Sequence, residues 1–329
     1  MFKDNSVISI DFGNKHIKCI VGKKRKKNII VSKAFKFEMP NDTFNDGEIL
    51  NLKKLTELMR ESLEKEKVKA KNCIVAFNSS TTISREISLP YNNSRDFKKL
   101  MKFEIQQHFP VALDEYITQY KIAEIYTDKD TKKARVFAYA ISAEMVEKYF
   151  ALIKDIGLNP IAFDLHSNVI VKLFTNRSLV NGVNYNKKGT VLLIDFGFKS
   201  INIEFVSDGI KKFSRFLPIF ETEYLFGQRM NENVYRDMDQ VVINNLYENW
   251  ADEIERNIKY YTSRKMGNRI DNIFIHGGFS NLPNIETKLF ERLQIPVSKI
   301  KELSCVKIYN NSKMNIANYL NSIGAIIER

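Results

Sequence analysis

The chain has 329 residues, of which 44% are apolar and 27% charged, with only 13 glycines and 7 prolines. This composition is globular and excludes a disordered or collagen-like chain, and the length predicts about two domains. Lysine and arginine exceed aspartate and glutamate by 12, which favours attraction to nucleic acid, nucleotides or anionic lipid.

The sequence also indicates a compartment. No apolar run approaches the roughly 20 residues of a membrane span, and the start of the chain lacks the apolar core of a secretory signal. The three cysteines, Cys19, Cys73 and Cys305, are scattered and odd in number, as is typical of a reducing compartment. We therefore expect a cytoplasmic protein.

An internal repeat is the first organising feature. Residues 10–17 recur as residues 194–201 with six of eight positions identical, and the two aspartates, Asp11 and Asp195, are 184 residues apart. Each copy follows a β-branched run and precedes alternating apolar residues, which predicts strand, tight turn and strand. Because the separation is that of a domain, we predict two copies of one hairpin-led domain.

The elements between the two copies predict a mixed sheet with helix cover, interrupted by an insertion. A strand at 29–39, a helix with an apolar face from Leu52 to Leu63 and a strand at 73–77 come first. Residues 84–157 are then predicted to form a small α+β subdomain with its own strands and helices. Its elements are strands at 85–90, 116–126 and 135–142, a helix striped by Phe97 to Phe109, and a helix at 143–156 that Gly157 ends.

The rest of the chain returns to the repeated pattern. A strand at 160–164 and a helix at 169–174 precede the second copy, and residues 222–264 are predicted to be mostly helical. A strand at 272–275 ends in two glycines, Pro283 is predicted to open a helix, and residues 316–327 are predicted to form a closing helix. The predicted domains are 1–83 with 158–186, the insert 84–157, and 187–329 with a short helical part at about 221–248.

The repeated turn has a direct chemical interpretation. A carboxylate at a strand end, followed by a glycine that lets the backbone approach a ligand, places amide donors beside an acidic group. Two such turns facing each other would hold a phosphate chain and its Mg²⁺, with Asp11 and Asp195 acting mainly through metal-bound water. A single turn of this kind is usually an ordinary hairpin, but two near-identical copies favour a shared site.

At these residues the sequence resembles the actin, Hsp70 and sugar-kinase ATPase superfamily, whose domains are RNase H-like. Within it the chain is similar to the PilM family of type IV pilus assembly proteins, relatives of the division protein FtsA. The most specific resemblance is in residues 89–115, and residues 157–160, 254–261 and 323–325 also resemble PilM blocks. The resemblance implies an α/β fold of two duplicated actin-like domains with an FtsA/PilM-type inserted α+β subdomain.

The resemblance also implies site residues. ATP or ADP with Mg²⁺ would be bound by phosphate-contacting residues of both turns and by two glycines beside the adenosine. These residues are Asp11, Gly13, Asn14, Lys15, Lys18, Asp195, Gly197, Ser200, Gly277 and Gly278. Asp164 would orient an attacking water, and Asp11 and Asp195 would act on the Mg²⁺ or its waters.

A protein partner is implied as well. The groove between the first domain and its insert would receive the cytoplasmic tail of a PilN-like inner-membrane protein, as an extended peptide. The residues predicted to line it are Arg85, Ile87, Leu89, Phe103 and Gln107. The resemblance further implies other inner-membrane platform proteins as partners, possible self-association, and attachment to the inner face of the cytoplasmic membrane.

Departures from the family pattern leave alternatives open. Pro218 to Thr222 replace a glycine-containing turn, and Phe279 stands where a small residue is common. At most a slow ATPase is therefore expected, and a nucleotide-free adaptor or, less favoured, a small-molecule kinase remain alternatives. The four histidines show no ligand spacing, so only nucleotide-bound Mg²⁺ is expected, and no nucleic-acid motif is found. The run Lys23 to Lys27 favours a solvated hairpin tip.

Overall fold

A computed structural model of the chain describes residues 6–92, 94–109, 112–175, 179–184, 189–226, 240–264, 267–309 and 314–327. The strands of the first half are β1 (Val7–Phe12), β2 (His16–Arg25), β3 (Asn28–Glu38), β4 (Phe44–Asn45), β5 (Glu48–Ile49), β6 (Asn72–Phe77), β7 (Ile83–Pro90), β8 (Tyr116–Asp128), β9 (Thr131–Ser142) and β10 (Asn159–Leu165). Those of the second half are β11 (Thr190–Phe196), β12 (Ser200–Ser207), β13 (Ile210–Pro218), β14 (Asn272–His276), β15 (Val297–Lys299) and β16 (Val306–Ile308). The helices are α1 (Leu52–Lys65), α2 (Ser94–His108), α3 (Ala143–Asp155), α4 (His166–Thr175), α5 (Glu221–Phe226), α6 (Gln240–Ser263), α7 (Ile285–Leu293) and α8 (Leu320–Ala325).

The first sheet has the strand order β10-β6-β1-β2-β3-β16. Strands β1, β2 and β3 are antiparallel neighbours, whereas β6 and β10 join in parallel after helical crossovers. Helix α1 begins where the side chain of Asn51 accepts a hydrogen bond from the amide of Lys54, and its buried face includes Leu55 and Met59. The helix thereby covers one face of the sheet and directs β6 to lie beside β1.

The second sheet repeats this arrangement in the order β13-β12-β11-β14-β15. Its first three strands are antiparallel, and β14 pairs in parallel with β11 as β6 does with β1. The register is also repeated, since Asp11 lies opposite Lys18 and Asp195 lies opposite Asn202. The predicted duplication of a hairpin-led domain is therefore confirmed.

The last part of the chain returns to the first sheet. Strand β16 pairs with β3, and α8 packs against α4, β1 and β6, although the sequence assigned all residues from 187 to the second domain. The predicted domain limits differ from the structure here, because apolar residues of this segment, including Leu320 and Ile323, pack against the first sheet in a core that strands of the second sheet also line. The limit at 186/187 lies outside the described residues.

The inserted subdomain is a three-stranded sheet, β7-β9-β8, covered by α2. Phe97, Met101 and Ile105 of α2 pack on β7 and β9 in a separate core. Helix α3, which the sequence placed in the insert, instead buries Tyr149 and Leu152 in the core of the first domain. The insert is thus shorter than the predicted 84–157, because the apolar face of α3 is directed to the first domain.

Three predicted helices differ in detail. The predicted helix 222–264 is two helices, α5 and α6, and residues 227–239 of its predicted short subdomain lie outside the described residues. Helix α7 begins at Ile285 rather than at Pro283, because Asn284 is left-handed with φ of 59°. The closing helix is a 3₁₀ turn at Ile316–Asn318 followed by α8. Among the described residues, no helix is both long and apolar enough to cross a membrane.

Candidate functional site

A cleft of about 790 Å³ lies between the two repeated turns. Nine of the ten residues predicted to bind a nucleotide line it, and Gly277 is the one that does not. Those nine are Asp11, Gly13, Asn14, Lys15, Lys18, Asp195, Gly197, Ser200 and Gly278. The topology explains their meeting, because both hairpins present the carboxyl end of their first strand to the same space.

The two turns have the same hydrogen-bonding geometry. The amide of Gly13 donates to the carbonyl of His16 over 3.1 Å, and the amide of Gly197 donates to the carbonyl of Ser200 over 2.9 Å. A Cβ at either glycine would stand only 3.0 Å from that carbonyl oxygen. Glycine therefore keeps both turns tight and leaves their backbone accessible from the cleft.

Asp11 is a buried carboxylate that His166 and Lys18 approach closely. Its side chain is 1% exposed; Nε2 of His166 lies 2.8 Å from Oδ1 and Nζ of Lys18 lies 3.6 Å from Oδ2. Neither contact has the alignment of a hydrogen bond, so both carboxylate oxygens are without such a partner among the described residues. Burial raises the pKa of Asp11, but the charges of His166 and Lys18 outweigh it and lower the pKa below its usual value.

Asp195 is the equivalent carboxylate in the second sheet. Nδ2 of Asn321 donates to its Oδ2 over 2.8 Å, and Nδ1 of His276 lies 3.8 Å from its Oδ1. Burial opposes ionisation, but His276, His166 and Lys18 together lower the pKa of Asp195. Since His166 and Lys18 lower the pKa of both aspartates, the two carboxylates face a common space. Among the described residues, no three His, Cys, Asp or Glu side chains cluster closely enough to hold a metal ion.

Cationic side chains line the same cleft. Lys15, Lys18 and Lys36 surround His16, whose pKa falls to about 4 because of its burial and these neighbouring charges. His16 is therefore neutral near pH 7, whereas the three lysines carry positive charge. An anionic ligand such as a phosphate chain suits this potential.

The segment after β14 reaches the cleft at Gly278 and Phe279, directly after Gly277. Gly277 has φ of 89°, and a Cβ there would overlap Oδ1 of Asp195 and lie 2.6 Å from the carbonyl oxygen of Phe196. Gly278 has open space where its Cβ would stand, and it lines the cleft. Phe279 is 1% exposed and stacks on Phe198 with ring centroids 6.0 Å apart, so its ring fills the wall.

Contacts across the cleft join the two halves of the chain. Nδ2 of Asn78, after β6, donates to Oδ1 of Asn202 on β12, and Nζ of Lys199 donates to Oδ1 of Asn45 over 3.0 Å. On the other side, the buried ammonium of Lys211 on β13 donates to Tyr139 of the insert over 2.6 Å. It also donates to Oδ1 of Asn168 on α4 over 3.0 Å.

Asp164, predicted to orient a water, is not among the residues lining the cleft. Its Oδ2 lies 2.6 Å from Nζ of Lys172 on α4, and its Oδ1 accepts the amide of Leu165. The catalytic role therefore has no support from its position. The residue that does reach the cleft from this strand end is His166, two positions later.

The predicted peptide-binding residues divide into two groups. Ile87 and Leu89 are 5% and 7% exposed and belong to the core of the insert, so their side chains are unavailable to a peptide. The prediction is corrected for these two, because alternate residues of β7 face α2. Arg85 and Gln107 are exposed, and Phe103 is 54% exposed. Strand β7 is an edge strand of its sheet.

Sequence reasoning missed several cleft residues. His166 and His276 stand at strand ends beside the two aspartates, and Asn321 comes from α8, 126 residues beyond Asp195. His276 carried a usable signal, since it ends the buried strand β14, and His166 follows directly after the end of β10. Asn321 carried none, because its position depends on the return of the chain to the first domain.

Two hairpin-led sheets, each with a carboxylate turn facing a shared cleft, define an actin-like fold, and this confirms the predicted fold class. The model of the family described as type IV pilus assembly protein PilM matches residues 9–324. The chain belongs to this PilM family.

Solved structures agree with this fold. A PilM-PilN type IV pilus biogenesis complex is similar with a TM-score of 0.82 and 14% identity, covering 97% of both chains. The ethanolamine utilization protein EutJ from Carboxydothermus hydrogenoformans is similar with a TM-score of 0.56 and 11% identity, covering 99% of this chain and 90% of that one. No curated protein sequence matches the chain.

Proposed function

We propose that this PilM-family chain is an assembly scaffold of the type IV pilus machinery that binds ATP or ADP with Mg²⁺ in its cleft. The observation that carries the proposal is the pair of buried carboxylates, Asp11 and Asp195, on two equivalent turns lining one cleft. Both oxygens of Asp11 lack hydrogen-bond partners among the described residues, as expected of a group that meets a ligand or its waters.

The residues of the cleft fit such a ligand. Backbone amides beside Gly13 and Gly197 and the ammonium of Lys18 would contact phosphate oxygens, while Gly278 leaves room for the nucleoside. The Mg²⁺, when bound, would neutralise phosphate charge and be held by phosphate oxygens and water near Asp11 and Asp195. Because Asp164 is paired with Lys172, turnover at this site would be slow at most.

A second candidate is a nucleotide-free adaptor. It is favoured by the groups already beside Asp11, since the Lys18 ammonium and the His166 ring lie 3.6 Å and 2.8 Å from this carboxylate within the protein itself. In that case the buried ion cluster would be structural, and the cleft would bind no nucleotide with measurable affinity.

Isothermal titration of the protein with ATP and Mg²⁺ distinguishes the two candidates. We expect saturable binding that Asp11→Asn weakens at least about tenfold, since it removes a charge that would act on the Mg²⁺ waters. Asp252→Asn is the matched control, because Asp252 is exposed on α6 and forms an ion pair with Arg292 on α7, away from the cleft. Absent binding, or equal effects of the two substitutions on the affinity, would support the nucleotide-free adaptor instead.

We also propose that the scaffold binds a short peptide of a PilN-like inner-membrane protein. The similar solved structure supports this, since its PilM is in complex with PilN. The edge strand β7 offers unpaired backbone groups, and Arg85, Phe103 and Gln107 offer exposed side chains. The protein would then be held at the inner face of the cytoplasmic membrane through this partner, with further platform proteins or a second copy of the chain joining it.

Fluorescence anisotropy with the amino-terminal peptide of the neighbouring PilN-like protein tests this docking. We expect Phe103→Ala to weaken binding about tenfold, because the half-exposed ring would lose an apolar contact. Phe290→Ala is the control, since Phe290 is 46% exposed on α7 of the second domain. Equal affinities of both variants and the unaltered protein would exclude the proposed position.

A further inference from the structure

Two lysine-rich runs of the sequence form one basic surface in the folded chain. The first is residues 23–27 at the β2–β3 tip, and the second is residues 65–71 between α1 and β6, and we call them together the basic edge. They contain nine basic side chains and one acidic one, Glu66, a net charge of +8 against +12 for the whole chain. Two thirds of the excess charge is therefore concentrated in 12 residues.

Strand register brings the two runs together. Val7, the first residue of β1, lies opposite Gly22 on one side and opposite Asn72 on the other. The first run begins directly after Gly22, and the second ends directly before Asn72, so both lie at the same end of the first sheet. A side-chain contact agrees with this placement, because Nζ of Lys33, which lies opposite Val21 near the start of the first run, is 3.2 Å from Oε2 of Glu66.

The basic edge is separate from the cleft. Asp11 lies at the other end of β1 from Val7, about 13 Å away at the usual rise of a strand. A ligand of the cleft would therefore leave these charges unused, and they need another explanation.

The charges are also available to a partner. Every basic residue of the edge except Lys23 is exposed. The one acidic group, Glu66, is engaged by Lys33, and among the described residues no carboxylate forms an ion pair with Lys24, Lys26 or Lys27. Residues 23–27 taken alone are typical of a solvated hairpin tip. With residues 65–71 beside them, the two runs produce a concentrated positive potential that a single tip lacks.

We propose that the basic edge binds the surface of an anionic phospholipid bilayer. Clusters of four to eight lysines or arginines are the size that attracts acidic headgroups, and each charge near the surface adds to the attraction. Eight of the nine basic residues are lysines, which act as point charges. Neither run contains an aromatic side chain, so the edge has no platform on which nucleic-acid bases would stack.

Vesicle flotation of the whole chain tests the proposal. Vesicles of phosphatidylcholine with about 30% phosphatidylglycerol are compared with pure phosphatidylcholine at low and raised NaCl, because the attraction is screened over roughly 10 Å at 0.1 M salt. The test variant is Lys24→Gln with Lys26→Gln and Lys27→Gln, and a second is Lys65→Gln with Lys69→Gln and Lys71→Gln. The control is Lys53→Gln with Lys259→Gln and Lys288→Gln, which removes the same charge from exposed or half-exposed positions away from the edge.

The expected result is flotation with the anionic vesicles alone, reduced at least about fivefold by either test variant and by raised salt, and retained by the control. Matching thermal unfolding midpoints show that each variant is folded. No flotation, equal loss in the control, or tighter binding to duplex DNA than to vesicles at equal phosphate concentration would overturn the proposal. Loss of the proposed nucleotide binding would leave this result unchanged, since the edge and the cleft are separate.

Discussion

Lys18 and Asn202 occupy equivalent positions in the two repeated hairpins, one opposite Asp11 and the other opposite Asp195. The first hairpin thus places a cation beside its aspartate, and the second places a neutral amide that bonds to Asn78 of the other half. The two hairpins therefore differ in role: the first supplies a positive charge beside its aspartate, and the second supplies a hydrogen bond across the cleft.

Lys18→Asn, which gives the first hairpin the side chain of the second, tests this specialisation. If the cleft binds a nucleotide, its affinity should fall about tenfold, because one charge that would contact phosphate is lost. Titration calorimetry measures the change, with Lys53→Asn as the control. Unaltered affinity would mean that Lys18 serves only to neutralise Asp11.

Asp164→Asn tests whether this carboxylate is structural. We expect unfolding to become easier by about 3 kcal/mol, because the substitution removes the negative charge that lies 2.6 Å from the largely buried ammonium of Lys172. Denaturant unfolding measures this loss, and affinity for ATP should be unaltered. Adding Lys172→Met should restore part of the stability, and failure of this rescue would contradict a pairwise role.

Gly277→Ala should destabilise the fold by at least about 2 kcal/mol, since residue 277 is left-handed and a Cβ there would overlap Asp195. Gly278→Ala is a matched control one residue away, because open space surrounds its Cβ position. Thermal unfolding of the two variants checks the difference. Equal midpoints would show that the loop relaxes without cost.

Glu204 should make stability depend on pH. Burial raises its pKa to about 8, above the value of about 4.5 for an exposed glutamate, so the folded chain holds a proton that the unfolded chain releases. The contribution of Glu204 to stability should then be full below about pH 4.5, fall by up to about 1.4 kcal/mol for each pH unit between 4.5 and 8, and level off above pH 8. Glu204→Gln should flatten this fall in unfolding midpoints measured from pH 5 to 9, and Glu253→Gln, at a half-exposed position on α6, should not.

The sequence was sufficient where a pattern is local. The two hairpins follow from repeated residues around Asp11 and Asp195, and the glycines that tighten their turns are visible in the same segments. The core face of α1 follows equally from the spacing of its leucines. These features depend on neighbours in the chain, which is why they could be predicted.

Other features depend on contacts between distant segments. The positions of Asn321 beside Asp195 and of Lys211 beside Tyr139 join residues 126 and 72 positions apart, and no local pattern indicates them. The burial of Ile87 and Leu89, by contrast, is indicated by their alternation in β7, a local pattern that places both side chains in the core of the insert.

The return of β16 and α8 to the first sheet has a consequence for how the chain is made. Residues 306–325 leave the ribosome after every strand of the second sheet, so the first sheet stays without one edge strand and one covering helix during most of translation. The same segment also reaches the second sheet, since Asn321 bonds to Asp195 and Leu320 and Ile323 pack in a core with Val191 and Leu193. The amino-terminal half can therefore be complete only after residues 306–325 have been made, and a chain cut between the halves would leave it with an open apolar face.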